Sequence, residues 1–141
     1  MREARRPDSG PSPGAAHPRR ARVLAIDDEP FVLRALGRIL EAHDLTPLAS
    51  ARDALARLDA GERFDAILCD LMMPDMTGME FFDHLGRRHP EQARRVVFLS
   101  GGAFTQAGIE FERSAGRTIL GKPFDLAALH GAIAGALRQT D

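Results

Sequence analysis

The sequence has few of the features that hold small extracellular proteins together or anchor proteins in membranes. It contains one cysteine, Cys69, so an internal disulfide and a multi-cysteine zinc site are both excluded. No apolar run reaches the length of about 20 residues that a membrane-spanning helix needs. The N-terminal arginines are not followed by the apolar segment of a secretory signal. We therefore expect a cytoplasmic protein without a membrane span.

The composition is that of one globular domain with a basic N-terminal tail. The 141 residues are 44% apolar and 28% charged, as in an ordinary domain with a buried core. Residues 1–20 are rich in Pro, Gly, Ser and Arg without apolar periodicity, which predicts a disordered tail or linker. A basic arm that contacts nucleic acid or a membrane surface is the alternative for this tail. We expect the domain to span residues 21–138, with 139–141 as its C-terminal end.

Short apolar runs alternate with helical patterns from residue 22 onward, which predicts a sheet flanked by five helices. The predicted strands are 22–27, 45–50, 64–70, 95–100 and 118–122. Most of them are apolar throughout, as expected when both faces of a parallel sheet are covered. Pro47 lacks a backbone N–H, which places the second strand at a sheet edge. These features predict a doubly wound, flavodoxin-like α/β fold with strand order 2-1-3-4-5.

Several helix boundaries carry their own sequence signals. Ser50 and Asp125 precede apolar helical patterns in the manner of N-caps. Thr77 with Glu80 three residues later forms the pattern of a capping box. Asp75, in the loop before Thr77, is interpreted as a turn residue. The fourth helix, around residues 103–114, is predicted to be irregular because Gly108 lies within it.

Polar residues stand at the ends of four of the predicted strands, and the carboxyl ends of parallel strands meet at one crevice. They are Asp27, Asp28, Asp70, Ser100 and Lys122. Three converging carboxylates repel one another, which favours a divalent cation with oxygen ligands such as Mg²⁺. A carboxylate beside a cation can act as a nucleophile toward a phosphoryl group, with a hydroxyl and an ammonium to hold its oxygens. Each residue alone has a plain structural explanation, such as helix capping by Asp70.

Four segments of the sequence resemble the motifs of response-regulator receiver domains of bacterial two-component signalling. They are "AIDDEP", "LCDLMMPDMTGMEFF", "VVFLSGG" and "ILGKPFD". The resemblance covers roughly residues 21–138. The segment between residues 98 and 125 is more similar to receivers of hybrid sensor histidine kinases than to those fused to DNA-binding domains.

The resemblance implies a phosphoacceptor and a metal site. Asp70 would accept a phosphoryl group from a phosphohistidine on a sensor histidine kinase or a histidine phosphotransfer protein. Asp28, Asp70 and the backbone carbonyl of Met72 would bind Mg²⁺, with Asp27 acting mainly through water.

The resemblance also implies how the phosphoryl group would be sensed. Ser100 would move toward a phosphoryl oxygen and Lys122 would pair with it, while Lys122-Pro123 would be a cis peptide. Phosphorylation would then shift a face formed by the fourth and fifth strands and helices between two states. Ile119 stands where the family often has an aromatic residue that changes rotamer, so the usual aromatic coupling is not expected here.

Two other functions remain open at this point. An aspartate-nucleophile phosphatase would normally have a second acid two residues after the nucleophile, but Met72 occupies that position. A degenerate receiver that serves only as a protein-binding module would have lost the acids or the lysine, and all are present. Nothing in the 141 residues resembles a helix-turn-helix DNA reader or a kinase ATP site. We therefore expect a non-enzymatic receiver, stand-alone or from a hybrid kinase, that does not bind nucleic acid directly.

Overall fold

We describe the chain from a computed structural model, for residues 20–101, 109–111, 113, 118–122 and 124–138. Within these residues the strands are β1 (Arg22–Ile26), β2 (Asp44–Leu48), β3 (Ala66–Asp70), β4 (Val96–Ser100) and β5 (Ile119–Gly121). The helices are α1 (Pro30–Ile39), α2 (Ala51–Asp59), α3 (Gly78–Arg88), α4 (Pro90–Ala93) and α5 (Leu126–Leu137). Residues 109–111 and 113 are also helical. No helix among the described residues is long and apolar enough to cross a membrane.

The strands form one parallel sheet in the order β2-β1-β3-β4-β5. This confirms the predicted doubly wound topology. Pro47 lies in β2 opposite Ala25, at the edge of the sheet, where its missing N–H leaves no ladder bond unmade.

Two apolar clusters cover the two faces of the sheet, because alternate residues of each inner strand point to opposite sides. In β3, Ile67 and Cys69 join the cluster with α2 and α3, whereas Ala66 and Leu68 join the cluster with α1 and α5. Every residue of β3 is buried, as predicted from its continuous apolar run. Cys69 is therefore a small core residue.

The predicted caps begin the helices. The Ser50 hydroxyl accepts a hydrogen bond from the Asp53 N–H at 3.3 Å, and Asp125 caps α5 through the Ala127 N–H at 3.2 Å. Thr77 and Glu80 form the complete capping box of α3. These contacts satisfy N–H groups that a helix start otherwise leaves unpaired.

The structure adds one short helix that the sequence analysis did not predict, α4 (Pro90–Ala93). Pro90 stands at its first position, where a missing N–H costs nothing. α4 carries Gln92, whose buried side chain accepts from the Phe64 N–H at 3.0 Å and donates to the Phe64 carbonyl at 3.1 Å. The helix therefore packs at the end of the sheet where the strands begin. We call this the amino end of the sheet.

Candidate functional site

The predicted site residues lie at the opposite end of the sheet, the carboxyl end. Asp27 directly follows β1, Asp70 is the last residue of β3, and Ser100 is the last residue of β4. Lys122 follows β5, and its backbone N–H donates to the Ser100 carbonyl at 2.8 Å. Asp28, Asp70, Ser100 and Lys122 line one open cavity with Met72. The structure thus brings together side chains that are up to 95 positions apart in the sequence.

Three carboxylates converge at this cavity, two lining it and one, Asp27, buried behind it. One oxygen from each of Asp27, Asp28 and Asp70 lies within 4.8 Å of the other two. Asp27 is fully buried and Asp70 is 5% exposed, while Asp28 is more open to solvent. Among the described residues, Asp27 Oδ2 is the one buried side-chain oxygen without a hydrogen bond. A set of three clustered carboxylates, which offers only oxygen ligands, fits a hard divalent cation such as Mg²⁺.

Lys122 places its ammonium among the acids. Its Nζ lies 2.7 Å from Asp27 Oδ2, 3.2 Å from Glu29 Oε1 and 3.5 Å from Asp70 Oδ1. The 2.7 Å contact with Asp27 is the shortest of the three ion pairs. The Lys122 side chain is only 12% exposed, so this charge acts where solvent screening is weak.

Burial and the neighbouring charges change the pKa values of Asp70 and Lys122. Burial, followed by the charge of Asp27, raises the pKa of Asp70 to about 6, although Lys122 and the Met72 N–H oppose this shift. Burial alone would lower the pKa of Lys122, but Asp27, Asp70 and Glu29 together raise it above its ordinary value. Without further positive charge, Asp70 therefore holds its proton more tightly than a separate carboxylate would.

The loop after Asp70 is held close to the sheet by Gly78. A Cβ at this position would collide with the Asp70 carbonyl oxygen and approach the Leu71 Cα within 3.0 Å. The Gly78 N–H also donates to the Leu71 carbonyl at 2.9 Å. Asp75 has a left-handed φ of 73° and pairs with Arg52 at 2.6 Å, which confirms its interpretation as a turn residue. The Met72 side chain is 51% exposed at the mouth of the cavity.

Two residues predicted from the resemblance lie away from this cluster or beyond the described residues. Pro123 lies outside the part of the chain that the structure describes. Ile119 is half-buried in β5 opposite Phe98. Phe98 packs edge to face against Phe82 and Phe111, with ring centroids 5.6 and 4.9 Å apart. Aromatic packing is thus present behind the site, but it comes from β4 and two helical segments rather than from position 119.

Sequence reasoning missed Glu29. It directly follows the acidic pair in "AIDDEP". In the structure its carboxylate reaches Lys122. It also lies between the acidic cavity and a neighbouring apolar cavity of about 500 Å³, which Lys122 and Phe31 line as well. The position of Glu29 directly after Asp27 and Asp28 was the sequence signal that could have identified it as a site residue.

The comparisons with known proteins agree with this geometry. The family model for the response regulator receiver domain matches residues 23–134. The chain belongs to this family. It is 32% identical to the response regulator protein PilR of Pseudomonas aeruginosa over 124 residues, which are 84% of this chain and 26% of PilR. It is 31% identical to the transcriptional regulatory protein TcrA of Mycobacterium tuberculosis over 137 residues, which are 93% of this chain and 52% of TcrA. The chain therefore spans about a quarter to a half of these curated relatives.

Solved receiver structures have the same fold. The receiver domain from Clostridium thermocellum superimposes with a TM-score of 0.73 at 25% identity, covering 84% of this chain and 95% of that one. A CheY-like receiver protein from Methanospirillum hungatei gives a TM-score of 0.74 at 26% identity, covering 86% and 97%. This protein is thus a response regulator receiver domain, a signalling domain of two-component systems, and such domains interact with histidine kinases or phosphotransfer proteins.

Proposed function

We propose that this receiver domain accepts a phosphoryl group on Asp70 from a phosphohistidine of a sensor histidine kinase or a phosphotransfer protein. The observation that carries the proposal is the position of the Lys122 ammonium among Asp27, Glu29 and Asp70, at the mouth of a three-carboxylate cluster. A cation and a buried carboxylate pair that share one open cavity suit phosphoryl transfer, which depends on positioning and charge neutralisation.

The transfer would be a displacement at phosphorus. One Asp70 carboxylate oxygen attacks, the new O–P bond forms as the N–P bond to the donor imidazole breaks, and the imidazole leaves with the bonding electron pair and takes up a proton. Lys122 would pair with a phosphoryl oxygen as a point charge. Ser100, 7% exposed at the end of β4, would donate its hydroxyl to another oxygen.

Asp27, Asp28, Asp70 and the Met72 carbonyl would hold Mg²⁺, which supplies positive charge against the carboxylates and the incoming phosphoryl group. The same charge would lower the pKa of Asp70 from about 6 and keep the nucleophile ionised at neutral pH. Asp27 would contribute mainly through water, because its Oδ2 already lies 2.7 Å from Lys122.

Phosphorylation at a single site would make the domain a switch rather than a metabolic enzyme. We propose that it shifts the face formed by β4, β5 and the helices next to them between two states. The Ile119 side chain cannot supply an aromatic rotamer change, so the edge-to-face cluster of Phe82, Phe98 and Phe111 is the element available to respond behind Ser100. We place the receiver at residues 21–138, with residues 1–20 as a linker or tail, in a cytoplasmic protein.

The test is covalent modification by a small phosphodonor. With Mg²⁺ and acetyl phosphate, we expect the intact mass to rise by one phosphoryl group, and we expect no rise with EDTA or in Asp70→Asn. Asp83→Asn, which changes an exposed carboxylate on α3 that pairs with Arg87, is the matched control and should be modified like the wild type. A mass shift that persists in Asp70→Asn would refute the assignment of Asp70. No Mg²⁺-dependent modification of the wild type would refute the proposed function.

A further inference from the structure

A fourth acid, Glu29, shares Lys122 with the aspartates of the site. Lys122 Nζ donates to Glu29 Oε1 at 3.2 Å, a distance between those to Asp27 (2.7 Å) and Asp70 (3.5 Å). The Glu29 carboxylate is not part of the cluster in which three carboxylates approach within 4.8 Å. It therefore contacts the lysine without belonging to the set of oxygens that fits a cation.

The local backbone explains why Glu29 reaches the lysine. Glu29 is the N-cap residue of α1, yet its side chain makes no capping hydrogen bond. Its backbone N–H instead donates to Asp27 Oδ1 at 2.9 Å, and Pro30 follows at the first helical position. These constraints hold the Glu29 backbone beside β1 and leave its side chain free to extend across to Lys122, 93 positions away in the chain.

The three carboxylates around Lys122 differ in what it costs to release them. A lysine ammonium has three N–H donors, and three carboxylates lie within 3.5 Å of this one. A phosphoryl oxygen on Asp70 would compete with these carboxylates for the N–H donors of Lys122. The Asp27 side chain has no solvent exposure, whereas that of Glu29 is 46% exposed. The Glu29 carboxylate can therefore replace its contact with Lys122 by hydrogen bonds to water at low cost. The buried Asp27 carboxylate cannot, because water does not reach it.

We infer that Glu29 is a positioning residue that restrains Lys122 in the unmodified domain and is released when a phosphoryl group on Asp70 takes its place. This inference rests on the function proposed above. Because the Glu29 contact belongs to the unmodified state, it opposes the phosphorylated state by whatever free energy the contact contributes. Its removal should therefore favour the phosphorylated state.

The experiment compares Glu29→Gln and Glu29→Asp with the wild type, using beryllofluoride as the phosphoryl analogue at saturating Mg²⁺. Glu29→Gln removes the charge, while Glu29→Asp keeps the charge and shortens the side chain by one methylene. Glu41→Gln removes an exposed acid just beyond the C-terminal end of α1 and is the matched control. Affinities are read by NMR or calorimetry, since the chain has no Trp or Tyr for fluorescence. Mg²⁺ affinity is measured in parallel without beryllofluoride.

We expect both Glu29 variants to bind beryllofluoride about threefold more tightly, the effect of one partly exposed ion pair. Glu41→Gln should bind like the wild type. Mg²⁺ affinity should change by less than the beryllofluoride affinity, which a general loss of structure would not produce. Tighter binding in Glu29→Gln with wild-type binding in Glu29→Asp would show a charge effect and overturn the positioning role.

Unchanged or weaker beryllofluoride binding in both Glu29 variants would also overturn the inference. So would a loss of Mg²⁺ affinity larger than the change in beryllofluoride affinity, because Glu29 would then be a metal ligand. These outcomes differ from failure of the proposed function, in which the wild type itself does not respond to beryllofluoride or acetyl phosphate.

Discussion

The amino and carboxyl ends of the sheet both bury polar side chains, but the partners are neutral backbone groups at the amino end and largely other charged side chains at the carboxyl end. At the amino end, the Gln92 amide makes two hydrogen bonds to the Phe64 backbone. His43 Nδ1 accepts from the Ala21 N–H at 3.0 Å, in the residue before β1. These groups replace water with protein donors and acceptors, so their burial stabilises the fold.

At the carboxyl end, burial disfavours the charged form of the carboxylates. Asp27 and Asp70 lie side by side with little exposure, Asp27 Oδ2 has no hydrogen bond, and the pKa of Asp70 is raised to about 6 by burial and by Asp27. Lys122 offsets only part of this repulsion. The comparison shows that buried polar groups with neutral hydrogen-bond partners stabilise the fold, whereas buried carboxylates that repel one another and shift in pKa indicate a site for a ligand.

The largest effect on stability should come from removing the Gln92 hydrogen bonds at the amino end. Gln92→Leu keeps the volume but leaves the buried Phe64 N–H and carbonyl without partners, which should cost about 2–4 kcal/mol of unfolding free energy. Urea unfolding followed by circular dichroism measures this cost. Glu91→Gln, a change at an exposed neighbour in α4 that pairs with Arg63, should stay within about 0.5 kcal/mol of the wild type. Equal midpoints for Gln92→Leu and the wild type would show that the Gln92 contacts add nothing.

Removing a carboxylate at the carboxyl end should instead raise the stability of the folded protein. Because folded Asp70 has a pKa of about 6, against about 4 in the unfolded chain, the folded state binds more protons between these values. The stability of the metal-free protein should therefore fall as the pH rises from about 4 to 6. Asp70→Asn should remove this loss and raise stability at pH 7 by about 1–2 kcal/mol.

Thermal unfolding without Mg²⁺, at pH 4 and pH 7, measures the Asp70→Asn effect. The difference from the wild type should be present at pH 7 and small at pH 4, where folded Asp70 is protonated and the unfolded chain has begun to take up the proton as well. Asp83→Asn, on the exposed face of α3, should show no gain at either pH. A wild type that is more stable than Asp70→Asn at pH 7 would contradict the assignment of repulsion to this end of the sheet.

The smallest effect should come from the histidine at the amino end. Burial first, then His130 and Arg20, lower the pKa of His43, and its Nδ1 must stay unprotonated to accept from Ala21. A lowered folded pKa contributes stability that is present above about 6.5 and is lost as the pH falls through the folded value. His43→Gln keeps an acceptor but does not titrate.

Unfolding midpoints between pH 7.5 and 5 test the role of His43. The wild type should lose stability over this range, and His43→Gln should lose less, by an amount below about 1 kcal/mol. His84→Gln on α3 should keep the wild-type slope. A steeper slope in His43→Gln than in the wild type would show that the Ala21 contact does not depend on neutral His43.

Much of the fold was predictable because it depends on local rules. The continuous apolar run before Asp70 required a strand with both faces covered, and Pro47 required an edge position. The capping signals at Ser50, Thr77 and Asp125 depend only on residues within one helical turn. α4 escaped prediction because a four-residue helix has too short a pattern to stand out.

The order of polar residues along the sequence determined which side chains meet, since a parallel sheet brings the residues after its strands to one end. The distances between these side chains, their burial and their contact partners are determined only by the tertiary structure. Only there does Lys122 lie closer to Asp27 than to Asp70, and only there does the Glu29 side chain extend from the N-cap of α1 to the same ammonium. The physical reason is that sequence pattern specifies the direction of each side chain, whereas the packing of separate elements decides which charges share a buried space and at what distance.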